Sequence, residues 1–119
     1  MKVGVLVAVL LLPQLASAQA SGFGTTHCQQ FLDSNPQSDD TVKAAYVSWT
    51  QGFFAGLNMA HAGTDHIQFE TPSPDQIIWY MHDYCLKNPR DMYLVGLTKM
   101  ALAIASHEAA NGTLKVQPH

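Results

Sequence analysis

Cys28 and Cys85 are the two cysteines of this 119-residue chain, and both follow an N-terminal segment that reads as an export signal. Lys2 supplies the positive start. Residues 3–12 form an apolar run broken only by Gly4, and Pro13 and Gln14 end it. Ala16, Ser17 and Ala18 then offer the small side chains a signal peptidase reads, so cleavage is expected after Ala18, with Ala20 as the alternative. The run is about half of the ~20 residues needed to span a bilayer, and no stable membrane insertion is expected. Export leads to an oxidising compartment, periplasmic or extracellular. Without a C-x-x-C spacing, the two thiols are expected to form one structural disulfide. Closing so long a loop stabilises a fold by about 4 kcal/mol in the chain-entropy picture. That is a large share of the roughly 5–15 kcal/mol that keeps a domain folded. The cysteines therefore constrain the architecture: whatever forms near residue 28 must lie against whatever forms near residue 85.

Residues 19–119 suffice for one domain and not two. Beyond the leader the bases are Lys43, Lys87, Arg90, Lys99 and Lys115, against nine carboxylates, which leaves a net charge of about −4. A nucleic-acid partner calls for a basic patch, and this composition excludes one.

Helical signals follow one another along the chain. Thr25 or Thr26 is placed to cap a short helix carrying Cys28, Phe31 and Leu32. After the polar turn around Pro36, Asp39, Asp40 or Thr41 can cap a longer helix. In it Val42, Ala45, Tyr46, Trp49, Phe53, Leu57 and Ala60 recur at steps of three and four. Gly52 and Gly56 share a side of that helix, which suggests a closely approaching backbone, because glycine inside a helix costs about 1 kcal/mol relative to alanine. Val47, Phe54, Ala55 and Met59 on the opposite side predict burial on two faces, and Gly63 is the expected stop. Residues 61–72 read as a loop. Ser73, Pro74 and Gln76 form a strong helix start with a capping box, followed by an inward stripe of Ile77, Ile78, Met81, Tyr84 and Cys85. Trp79 and Tyr80 fall off that stripe, so at least one is expected at the surface. Asn88 and Pro89 end this helix, with Asn88 expected to cap the next. From Met92 to Ala105 the chain is apolar nearly all round, which predicts a helix that is either central or covered by a partner. Gly112 is the expected stop, and the tail to His119 reads as loose. The fold class is all-α: a small orthogonal bundle of one short and three longer helices with one disulfide, joining the first helix to the end of the third.

Six histidines invite a search for chemistry. His61, Asp65, His66 and Glu70 gather around one loop, but their spacing matches no zinc pattern, and solvated side chains are expected rather than a metal site. His82–Asp83 and His107–Glu108 are sequence neighbours, which point in different directions on a helix and make no acid–base dyad. No nucleophile elbow, phosphate loop or dinucleotide fingerprint is present. Neither catalytic residues nor a cofactor are expected. Asn111-Gly112-Thr113 matches a glycosylation sequon.

Three segments carry a family resemblance. They are residues 27–32 (His-Cys-Gln-Gln-Phe-Leu), residues 52–58 (Gly-Phe-Phe-Ala-Gly-Leu-Asn), and Thr71-Pro72 leading into the helix that bears Cys85. Together they resemble the HdeA/HdeB-type periplasmic acid-stress proteins over roughly residues 27–105. The stretch Tyr84-Cys85-x-x-Asn88-Pro89 is similar to a broader set of small proteobacterial exported proteins, and some type VI secretion immunity proteins have a similar helical plan. The resemblance implies a single HdeA-like helical domain over residues 19–119. Its implied activity is that of a chaperone working without ATP, a folded dimer at neutral pH that loosens in acid and holds unfolding clients on exposed apolar surface. In acid, five Lys/Arg, six histidines and the N-terminus would bring this chain to about +12, and self-repulsion of that size favours opening. The chain carries only 13% charged residues, unlike the lysine-rich chaperones it resembles, and lacks their charged ends.

The expectation is a non-enzymatic protein-binding protein whose partner is either an unfolding client or one specific effector, the latter making it an inhibitor or immunity protein. A homodimer is a further expectation. Phe53, Phe54, Leu57, Leu94, Leu97 and Leu102 are the expected apolar surface shared between core and partner. A hydrolase or metal-binding protein ranks third.

Overall fold

The computed structural model describes residues 22–116, and the expected signal segment and its cleavage point lie outside them. Helices account for 68% of the described residues, in keeping with the all-α expectation. After a single 3-10 turn at Phe23–Thr25 come α1 (Cys28–Asp33), α2 (Asp40–Ala62), β1 (Ile67–Gln68), α3 (Pro74–Lys87), α4 (Tyr93–Asn111) and β2 (Lys115–Val116).

Most helix ends follow from their caps. Asp39 begins α2 by accepting hydrogen bonds from the Thr41 and Val42 amides at 3.0 and 3.1 Å. Ser73 and Gln76 form the expected capping box of α3: the Ser73 amide donates to Gln76 Oε1 at 2.8 Å, and the Gln76 amide to Ser73 Oγ at 3.3 Å. Gly112 ends α4 in the left-handed conformation, φ 73°, where a side chain would be strained. Two caps differ from expectation. His27, not Thr25 or Thr26, is the N-cap of α1, and its amide donates to Gln30 Oε1 at 3.1 Å. Asn88 does not open α4. It closes α3, its side-chain amide donating to the Tyr84 carbonyl at 3.0 Å, while Met92 takes the N-cap of α4.

The delayed start of α4 has a physical reason, because residues 89–93 pair with the chain around α1. The Cys28 amide donates to the Asp91 carbonyl and the Tyr93 amide to the Thr26 carbonyl, both at 2.8 Å. This lashing runs beside the Cys28–Cys85 disulfide, which spans 57 residues and ties α1 to the end of α3 as expected.

The core lies where the four helices meet. Phe31 of α1, Tyr46 of α2 and Tyr93 of α4 form an aromatic triangle with centroids 4.9 to 5.3 Å apart. Offset or edgewise contacts of this kind add to the gain from burial. Phe54, Ile77, Met81, Cys85 and Leu97 complete the centre. Gly24 lets the first turn lie on the Trp49 ring; a Cβ there would come 2.2 Å from Cη2.

Two packing expectations are corrected. Among the described residues nothing lies within 4 Å of a Cβ built on Gly52 or Gly56, so none of their backbone approaches that side of α2. Opposite them Val47 and Phe54 are buried, but Ala55 and Met59 are exposed. The close approach occurs instead at Gly96 of α4, where a Cβ would stand 2.5 Å from Met81 Cε and 2.7 Å from Tyr84 Cδ1. The tail is also less loose than expected. β2 pairs antiparallel with β1, Ile67 opposite Val116 and Gln68 opposite Lys115. Two-residue strands are too short to leave a periodic trace in sequence. Asn58 of α2 holds the loop down by bonding both backbone groups of Phe69, at 2.7 and 3.0 Å.

Among the described residues no helix is long and apolar enough to cross a membrane.

Candidate functional site

The capping box fixes where α3 starts and therefore which of its side chains face outward. Gln76, Trp79 and Tyr80, at steps of three and one, point to the side where α4 passes. On α4, Met100, Ile104 and Glu108 follow one another at steps of four and share a face. Between these two rows lies a cleft of about 520 Å³, within the usual size range of small-ligand sites. The third wall is the Glu70–Pro72 segment. It immediately follows β1, so the pairing of β1 with β2 holds this wall beside the end of α4.

The cleft combines three kinds of surface. Met100, Ala103 and Ile104 give an apolar wall. Trp79 stands at its edge with 71% of its surface exposed, and Tyr80 beside it is half-buried. Burial, with a smaller contribution from Asp83, raises the Tyr80 phenol above its usual pKa, so it is a neutral hydroxyl at physiological pH.

The third surface is Glu108, which is 7% exposed. Its Oε2 is shut off from water and has no hydrogen-bond partner. The helix period explains why a carboxylate sits there: Leu97, Ala101 and Glu108 fall on one inward stripe of α4, and the first two are buried. The backbone carbonyl of Glu108 accepts from the Thr113 and Leu114 amides at 2.9 and 3.1 Å. The turn at Gly112 therefore fixes the residue's main chain while its Oε2 is left without a partner. His107 and Asn111 complete this end, with Asn111 Nδ2 3.3 Å from His107 Nδ1. Among the described residues the ionisable groups lining the cleft are Glu70, Glu108, His107 and the Tyr80 phenol, with no lysine or arginine.

The expected binding residues fall elsewhere. Phe54 and Leu97 are wholly buried in the core. Phe53 and Leu57 are half-buried and pack against it, and Leu94 is half-buried. Leu102 is 62% exposed but does not line the cleft. As expected for residues off the inward stripe, Trp79 is at the surface. Leu86, seven residues on and 59% exposed, shares its face of α3.

In the histidine loop, His61 Nδ1 lies 2.8 Å from Asp65 Oδ1. This hydrogen bond, with a second from the Ile67 amide, holds the Asp65 carboxyl below its usual pKa. Among the described residues no three His, Cys, Asp or Glu side chains converge as a metal site would require. Cys85 is bonded to Cys28 and has no free thiol.

Glu108 was not among the expected site residues, although its signal is present in the sequence. It is a carboxylate in register with the buried stripe of an otherwise apolar helix, seven residues after Ala101. The chain matches no protein-family model, no curated protein and no solved structure.

Proposed function

We propose that this chain is a small exported, non-enzymatic protein that works by binding another protein, and that its working surface is the α3 side of the molecule around the cleft. The observation that carries the reading is Trp79. It is 71% exposed on a helix whose other bulky apolar side chains are mostly buried, and it borders a cleft with an apolar wall. Exposed tryptophan beside concave apolar surface is the composition of a binding hot spot. The disulfide between α1 and α3 suits a small domain that must persist outside the cytoplasm.

The resemblance to HdeA/HdeB-type proteins supports an acid-linked chaperone as the most concrete form of this function. A dedicated inhibitor of one effector is the second reading, and the cleft favours it because a preformed concavity suits a specific partner at neutral pH. Light scattering of an unrelated aggregating protein at pH 2–3 and at pH 7 separates the two. Suppression in acid alone supports the chaperone. Without it the chaperone reading fails, and tight capture of one effector at pH 7 supports the inhibitor.

A further inference from the structure

Glu108 carries a buried carboxylate oxygen, Oε2, that nothing in the described residues satisfies. A buried polar atom without a hydrogen bond is costly, and native structures leave few of them. The ion pairs of the described residues join Lys43 to Asp75, His61 to Asp65 and Lys87 to Asp83, and none reaches Glu108. The residue also lines an open cleft, so a turn of its side chain toward the cleft would meet a donor arriving from outside.

The rest of the cleft specifies that donor. Glu70 adds a second carboxylate to the lining, and among the described residues no lysine or arginine opposes them. Among the described residues His107 is the one lining side chain able to carry a positive charge, and its Nδ1 faces the Asn111 amide at 3.3 Å. Trp79 and Tyr80 offer aromatic faces, which attract cations most strongly where water is displaced. Met100, Ala103 and Ile104 form a wall against which a hydrocarbon stem can lie. A negative end, aromatic faces and an apolar wall complement a cation carried on an apolar stem.

We infer that the α3–α4 cleft is a receptor for an organic cation, an alkylammonium or guanidinium group whose donors pair with Glu108 while its stem packs on Ile104 and Trp79. The inference rests on the cleft being the working surface proposed above, and it names the chemistry that surface selects. Two sources present this chemistry: a free small amine, or a lysine or arginine side chain of a protein partner.

Titration calorimetry on the disulfide-bonded protein at pH 7 tests it without any protein partner. The probes are hexylammonium, its neutral counterpart 1-hexanol, and a short end-blocked alanine peptide with one central arginine. The expected result is that hexylammonium or the arginine peptide binds at least tenfold more tightly than hexanol. Glu108→Gln should weaken that binding at least tenfold, and Trp79→Leu should weaken it severalfold. Tighter binding of the amine points to a small-molecule source, and tighter binding of the peptide to a protein side chain. Because Glu108 has no partner to lose, Glu108→Gln should melt no lower than the parent, which verifies that its fold is intact. Equal binding of hexylammonium and hexanol, no binding of either cation, or cation binding unchanged in Glu108→Gln overturns the inference. A protein partner still lost on Trp79→Ser would then leave the proposed surface standing without its cation preference.

Discussion

Thr50 Oγ1 and Tyr93 OH lie 2.9 Å apart at the centre of the core, both side chains wholly buried. This bond joins the middle of α2 to the first residue of α4, the two longest helices. Thr50→Val keeps the shape but leaves the Tyr93 hydroxyl buried without a partner, and should cost about 1–3 kcal/mol. Thr50→Val with Tyr93→Phe removes both polar groups and should cost clearly less than the sum of the single changes. Urea denaturation of the four proteins measures the coupling, and simple additivity would contradict it.

The glycines of α2 and α4 should respond in opposite directions. Gly96→Ala drives a methyl group into Met81 and the Tyr84 ring. Overpacking of this kind costs about 1–3 kcal/mol, more than the ~1 kcal/mol regained in helix propensity. Gly52→Ala and Gly56→Ala meet open space and should each raise stability by up to ~1 kcal/mol. Melting temperatures of the three single variants decide the matter.

Much of this architecture was legible in the sequence, and what was missed shares a cause. The spacing of Tyr46, Phe53 and Leu57, the box at Ser73 and Gln76, and the stop at Gly112 are local signals, and the chain obeys them. The late start of α4 at Tyr93, the hold of Asn58 on Phe69 and the pairing of Ile67 with Val116 depend on residues far apart in sequence, which no local pattern reports. The glycine pair misled because a helix side without side chains looks alike whether a neighbour covers it or solvent does. In the cleft, the exposure of Trp79 could be read from its place off the stripe. The isolation of Glu108 could not, because it depends on which bases fail to reach it.

Stability should fall on the alkaline side. Burial, reinforced by the hydrogen bond from its hydroxyl to Asp91, pushes the Tyr84 phenol up to about 12. Burial also raises Tyr93. In the unfolded chain both titrate near 10. The unfolded state therefore releases protons first, so the stabilisation is fully present below pH ~10 and is lost as pH rises through about 12. Urea midpoints at pH 9, 10 and 11 should fall progressively, and less steeply in Tyr84→Phe. A flat profile would contradict the burial assigned to these hydroxyls.

The disulfide closes a 57-residue separation, and its loss should cost about 4 kcal/mol. Reduction with dithiothreitol, or Cys28→Ser with Cys85→Ser, should lower the urea midpoint and the melting temperature together. An unchanged melting temperature would mean that the backbone pairing of residues 89–93 with α1 suffices without the bond.

The proposed binding surface is the α3 side of the cleft, and not exposed apolar surface in general. Its most direct measurement is the binding or aggregation-suppressing activity of Trp79→Ser beside that of Met59→Ser. Met59 is the more exposed of the two, at 78%, and lies on α2 away from the cleft. Activity lost in Trp79→Ser and retained in Met59→Ser is the predicted result; equal activity in the two variants would contradict it.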